Sequence, residues 1–175
     1  MDNIFKNTSY KILEQFMFEP SKKFSVRGLA RELKFSHATI LNHIDELMAL
    51  DLIRKTSNTL YPTYYANTQS KKLRTYKRKA ISFNILESGL IDYINKNTLP
   101  SSIVLYGSCA KGTFHEKSDI DLFVEANEIR LNLNRFEKTL NKQINLLFEK
   151  KLSNLSKELR NNLINGVIME GYIKI

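Results

Sequence analysis

Two carboxylates spaced one residue apart, Asp119 and Asp121, follow a Gly-Ser pair, Gly107-Ser108, within the run GSCAKGTFHEKSDIDLFV at residues 107–124. The apolar stretch 103–106 ahead of the pair reads as a strand, so the chain turns toward a helix where its side chains are smallest. Backbone N–H groups at such a turn can approach a phosphate closely. Asp119-Ile120-Asp121 reads as the start of a second strand. Side chains at i and i+2 of a strand share a face, so both carboxylates point at one spot. Hard oxygen ligands of this kind suit Mg²⁺ carrying the phosphates of a substrate. The intervening loop holds Lys111, His115 and Lys117, which either meet those phosphates or are solvated. Cys109 reads as a small packing residue, because no neighbour in sequence would make it a nucleophile.

The elements that must position these groups fit a chain of 175 residues with 42% hydrophobic content, enough for two small domains or one medium one. A single cysteine excludes an internal disulfide framework. There is no apolar run of about 20 residues and no basic, apolar leader, so a soluble, cytoplasmic protein without membrane attachment is expected. The net charge of +9 is uneven: residues 1–80 hold 15 Lys and Arg against 7 Asp and Glu, whereas residues 81–175 hold 12 against 11. A polyanion partner is expected for the first half and different work for the second.

In the first half, Tyr10, Ile12, Leu13, Phe16 and Met17 recur at helical spacing and stop at Glu19-Pro20-Ser21. Ser25 reads as the N-cap of a helix over 26–33, and Ser36 as the N-cap of another over 37–50. In the latter, Ile40, Leu41, Ile44, Leu47 and Met48 are expected to face inward, with Thr39, Asn42, His43 and Glu46 opposite. Residues 52–55 and 61–66 read as strands around a Thr56-Ser57-Asn58-Thr59 turn. On VRGLARELKFSHATILNHIDELMALDLIRK and the hairpin after it, residues 5–70 resemble the winged-helix transcription regulators. The resemblance implies a homodimer on double-stranded DNA, with Ser36, His37, Thr39, Asn42 and His43 presented to bases and Arg27, Lys34, Arg54 and Lys55 to phosphates. The alternative is an ordinary solvated helix face in a domain that makes only protein contacts; the charge favours DNA. His37 and His43 lack the neighbours of a metal site.

Residues 71–97 read as one basic amphipathic linker helix, from Lys71, Lys72, Arg74, Lys77, Arg78 and Lys79 into an apolar stripe ending at Ile94. Beyond it, a strand followed by Gly107, Ser108, Ala110, Gly112, Ser118, Asp119 and Asp121 resembles the DNA polymerase beta-like nucleotidyltransferase superfamily in its minimal, antitoxin-like form. The resemblance covers residues 95–175. It implies a short mixed sheet, with Gly107, Ser108 and Ser118 at the nucleoside triphosphate, ATP or another, and Asp119 and Asp121 as catalytic ligands of Mg²⁺. The family also carries a third carboxylate on a later strand; in 143–148 that position holds Asn145, whose amide can offer an oxygen to a metal but cannot take a proton. Two Mg²⁺ sites are expected if Glu149 or Glu125 replaces the missing acid, and one otherwise. Residues 150–165 read as a helix and 166–175 as an apolar tail.

The whole chain is thus expected to be an α+β protein: a winged helix-turn-helix domain over 1–70, the linker helix over 71–97 and a minimal nucleotidyltransferase domain over 98–175. The resemblance implies a regulator that transfers AMP to a hydroxyl, with a ribonuclease toxin of the HEPN type as a partner. The alternative is a regulator of the same fold that acts by DNA and partner binding only. Modification of a small antibiotic is disfavoured, since a domain of about 80 residues offers little chain for an acceptor pocket.

Overall fold

The computed structural model describes residues 7–56 and 61–173. The chain divides into two compact units, Met1–Tyr76 and Lys77–Ile175.

In the first unit, α1 (Thr8–Phe18) starts where the Asn7 side chain accepts the Tyr10 N–H and buries Ile12, Leu13, Phe16 and Met17, the residues that recur at helical spacing. Helix α2 (Val26–Leu33) is capped by the Ser25 hydroxyl and ends at Lys34 in the left-handed region. The Ser36 hydroxyl caps α3 (His37–Ala49), which buries Ile40, Ile44 and Leu47. Leu41, expected on the inward stripe, is instead 43% exposed; one residue on from Ile40 turns it about 100° away. Three short strands, β1 (Phe24–Ser25), β2 (Ile53–Lys55) and β3 (Thr63–Ala66), form an antiparallel sheet in the order β1-β3-β2. Strand β1 is too short to leave a pattern in the sequence. The Ser57-Asn58-Thr59 part of the expected turn lies outside the described residues.

The stretch 71–97 is two helices, not one: α4 (Lys71–Glu87), which spans the junction of the units, and α5 (Leu90–Thr98). Gly89 between them has φ 74°, a conformation that side chains with a Cβ disfavour. The Ser88 hydroxyl completes the break, donating to the Ile85 carbonyl and accepting the Leu90 N–H.

The second unit is built on four strands, β4 (Ser102–Tyr106), β5 (Ile120–Val124), β6 (Ile144–Phe148) and β7 (Val167–Gly171), in the order β6-β5-β4-β7. Strand β4 runs antiparallel to β5 and β7, and β5 runs parallel to β6. The sheet is therefore mixed, as expected. Ile103, Val104, Leu105, Leu122, Phe123 and Val124 are all fully buried, the mark of strands covered on both faces. Val104 and Phe123 pack against Leu152 and Leu163, with Leu147, Leu155 and Leu159 around them. Helices α6 (Gly107–Lys111) and α7 (Asn134–Leu140) flank β5 in the chain.

The C-terminal stretch also departs from expectation. The Leu periodicity of 150–165 is shared between a 3₁₀ turn, Leu152–Asn154, and α8 (Lys157–Ile164), which the Ser156 hydroxyl caps. Part of the expected tail is strand β7. Among the described residues, no helix is long and apolar enough to cross a membrane.

Candidate active site

The antiparallel register sets Tyr106, the last residue of β4, opposite Asp121 on β5. The turn that leaves β4 therefore meets the start of β5. Gly107 makes that turn at φ 68°. A Cβ on Gly107 would lie 2.5 Å from Asp121 Oδ2, so glycine is required both for the backbone angle and for the approach of the carboxylate. The Tyr106 hydroxyl is held above its ordinary range by burial and then by the Asp121 charge.

Helix α6 ends at Gly112, φ 69°, and the loop beyond it returns to Asp119. The Ser118 hydroxyl accepts the His115 N–H at 2.9 Å, and the Ser118 N–H donates to the His115 carbonyl at 3.1 Å. Ser118 thus ties the turn in front of Asp119. Cys109, fully buried, donates its Sγ–H to the Asp119 carbonyl at 3.3 Å. Burial pushes this thiol up to about 11, so it stays protonated and remains a donor. Sequence reasoning assigned Cys109 packing alone; its grip on Asp119 depends on the fold, since ten residues separate them.

Strands β5 and β6 pair Asp121 with Asn145. The Asn145 amide nitrogen lies 3.1 Å from Asp121 Oδ1 and 3.3 Å from Asp119 Oδ2. The structure therefore brings together the two carboxylates and the amide expected at the third position. Glu149 and Glu125 do not join them. Glu149 accepts the Lys150 N–H at 2.7 Å and the Asn154 amide at 2.9 Å, and Glu125 accepts the Ser102 hydroxyl at 3.0 Å. Each lies four residues along its strand from Asn145 or Asp121, roughly 13 Å at strand rise. The expectation that either could stand in for the missing acid fails on this geometry.

The donor set fits one hard cation. Two carboxylates converge on Asn145, Asp121 against a glycine that leaves room for it, and the Asn145 amide presents its oxygen in place of its nitrogen when turned over. Among the described residues, no group of three His, Cys, Asp or Glu side chains is placed to hold a metal. Of the loop cations, Lys111 donates to the Asn162 side chain at 3.4 Å, and the His115 ring accepts the Lys117 N–H at 3.3 Å.

In the first unit, Arg27, Lys34, Ser36, His37, Asn42, Arg54 and Lys55 are exposed. The Ser36 hydroxyl is occupied as an N-cap and bonded to the Thr39 hydroxyl at 2.8 Å. His43 is half-buried, its Nδ1 2.8 Å from the Ser9 hydroxyl and 2.9 Å from Glu46 Oε2. Hydroxyl and carboxylate meet the same ring nitrogen, so this trio cannot relay a proton as a nucleophile triad does. The hydrogen bond from His43 holds the Glu46 carboxyl below its usual range. Helix α3 itself carries no Lys or Arg; the cations flank it.

The family model for Polymerase beta, Nucleotidyltransferase matches residues 88–173, the segment that contains α5, the four-stranded sheet and the Asp119–Asp121–Asn145 cluster. No curated protein matches the chain.

Proposed function

We propose, from the nucleotidyltransferase fold of residues 88–173, that this chain is a DNA-binding regulator whose C-terminal domain binds a Mg²⁺-nucleoside triphosphate and transfers its nucleotidyl group to a hydroxyl acceptor. The observation that carries the reading is the convergence of Asp119 and Asp121 on the Asn145 amide, beside Gly107, the one residue that leaves space for the Asp121 carboxylate. In such a transfer the acceptor oxygen forms a bond to the α-phosphorus, the bond to the bridging oxygen on its far side breaks, and pyrophosphate leaves. The bound cation would supply charge neutralisation along that path. The chain's own groups position the reactants: Gly107 and Ser108 offer backbone N–H groups to the phosphates, and Asp119, Asp121 and Asn145 offer oxygens to one ion. Asn145 takes no proton, so the acceptor's proton passes to water.

A second reading has its own support. Asn145 donates a neutral hydrogen bond to both carboxylates where an acid would serve as base, which favours a regulator that binds nucleotide or partner and tunes DNA affinity without transfer. Under either reading, a winged helix-turn-helix built from α1 to β3 meets double-stranded DNA as a homodimer through its exposed cations, Arg27, Lys34, Arg54 and Lys55. A HEPN-type ribonuclease toxin is the protein partner, as acceptor or as bound complex.

Replacing both carboxylates, Asp119→Asn with Asp121→Asn, is expected to abolish Mg²⁺-dependent nucleotide binding and leave DNA affinity nearly intact. Unchanged nucleotide binding by calorimetry would overturn the site. Incubation with ATP labelled at the α-phosphate, Mg²⁺ and cell extract then separates the readings. Label on an acceptor, absent with the double variant, supports transfer; binding without label supports the second reading.

A further inference from the structure

Lys142, between α7 and β6, is only 8% exposed. Its ammonium donates to three main-chain carbonyls: His115 at 2.9 Å, Ser118 at 3.0 Å and Glu116 at 3.3 Å. Three donors meet three acceptors, which offsets the desolvation of a buried charge. Burial pushes this ammonium below its ordinary range, against the pull of Cys109, Glu116 and Asp119. A second buried lysine, Lys77, 3% exposed, donates to the Phe114 carbonyl. Both ammonium groups face the buried Phe114 ring, Lys77 at 4.3 Å and Lys142 at 5.2 Å from its centroid, within cation–π range.

The loop these lysines hold leads directly into Asp119. From Phe114 to Asp119, every main-chain oxygen except that of Lys117 accepts from a side chain: Lys77 at Phe114, Lys142 at His115, Glu116 and Ser118, and Cys109 at Asp119. The ladder of β5 begins only at Ile120, whose N–H donates to the Gln143 carbonyl at 2.9 Å. The backbone ahead of Asp119 is therefore shaped by side-chain donors, together with the turn that Ser118 and His115 close, and not by a sheet.

We propose that Lys142 is a positioning residue for Asp119, a resident cation whose grip on three loop carbonyls sets the angle at which the chain enters β5 and so brings the Asp119 carboxylate beside Asp121. This rests on the reading of Asp119 as a metal ligand. Its ammonium is committed to the His115, Glu116 and Ser118 carbonyls, so it acts through the loop. Its shape makes a distinct demand, because truncating it leaves a cage of carbonyl oxygens that a small ammonium ion can enter.

The test uses the full chain with Lys142→Ala and Lys142→Met. Two quantities are followed: hydrogen exchange at the His115, Ser118 and Ile120 amides, and affinity for Mg²⁺-ATP. Loss of charge-assisted hydrogen bonds is expected to speed exchange and weaken binding by about tenfold or more in both variants. Methylammonium chloride restores both in Lys142→Ala, and tetramethylammonium chloride, which has no N–H, does not. Lys142→Met, which keeps an apolar stem of similar length and fills the cage, keeps the defect in either salt. Wild-type exchange at these amides in both variants overturns the clamp. A loosened loop with wild-type Mg²⁺-ATP affinity, or a defect that methylammonium does not relieve in Lys142→Ala, overturns the positioning role. A wild-type chain that binds no Mg²⁺-ATP overturns the reading of the site and leaves the clamp to the exchange rates.

Discussion

Gly107 is where backbone geometry and site chemistry coincide. At φ 68° and with a Cβ position 2.5 Å from Asp121 Oδ2, Gly107→Ala must strain the turn or displace the carboxylate. The expected outcome is a loss of about 1–3 kcal/mol in stability from the backbone alone, with Mg²⁺-nucleotide affinity falling further than the stability loss explains. Thermal melts and calorimetry on one preparation check it, and unchanged affinity removes the close approach from the site's design. Lys77 supplies a pH test. Burial, opposed by Glu116 and reinforced by Lys142, lowers its pKa from 10.5 to about 8. Between these values the unfolded chain holds the proton that the folded chain has lost, so Lys77's contribution to stability improves as pH rises from about 8 to about 10.5. Measured as wild type against Lys77→Met, which cancels the opposite effect of the Cys109 thiol, the difference should move in favour of wild type across that window. A difference independent of pH means that Lys77 keeps its ordinary pKa. The carboxylates were readable from spacing and strand pattern and Asn145 from the family resemblance, while Lys77, Lys142 and Cys109 were not, because each acts on a backbone oxygen at least ten residues away.

At the scale of elements, glycines mark where regular structure gives way. Gly89 separates α4 from α5, and a Cβ added there would meet nothing within 4 Å, whereas a Cβ on Gly171, at φ 69°, would lie 2.1 Å from the Ser101 carbonyl at the start of β4. Alanine at Gly89 meets only the backbone penalty, about 1 kcal/mol. Gly171→Ala must also push β7 off the β4 edge, and a loss of about 2–4 kcal/mol is expected. Urea unfolding of the two variants side by side checks the order; equal losses would mean that β7 contributes little to the sheet. The starts of α2 and α3 were readable because a side-chain hydroxyl does the capping, at Ser25 and Ser36, whereas the Ser156 cap of α8 was hidden inside a longer Leu periodicity. The break at Gly89 and strand β7 were not readable, since an apolar stretch serves either a helix or an edge strand until its partner is known.

For the whole molecule, charge and chemistry are divided between the halves. Residues 1–80 carry the surplus of Lys and Arg on which the proposed DNA contact rests, and the near-neutral remainder holds the carboxylate site. Because Arg54 and Lys55 are exposed on β2, replacing both with alanine should weaken DNA binding across sequences and reduce the slope of log affinity against log salt by about 2. Fluorescence anisotropy over a salt series measures both, and an unchanged slope removes β2 from the interface.

By itself, the sequence determined the order of the three helices and the hairpin strands in the first unit, and the setting of a Gly-Ser turn ahead of Asp119 and Asp121; the mixed sheet of the second unit came only from the family resemblance. The first two follow from local rules: hydrophobic period, capping hydroxyls and the two-residue repeat of a strand. Only the tertiary structure decided that Asn145 sits in register with Asp121, that Glu149 and Glu125 are committed elsewhere, and that two buried lysines hold the loop before Asp119. Those outcomes depend on which strands pair and on which distant carbonyls a donor meets once water is excluded, and neither is written in the spacing of neighbouring residues.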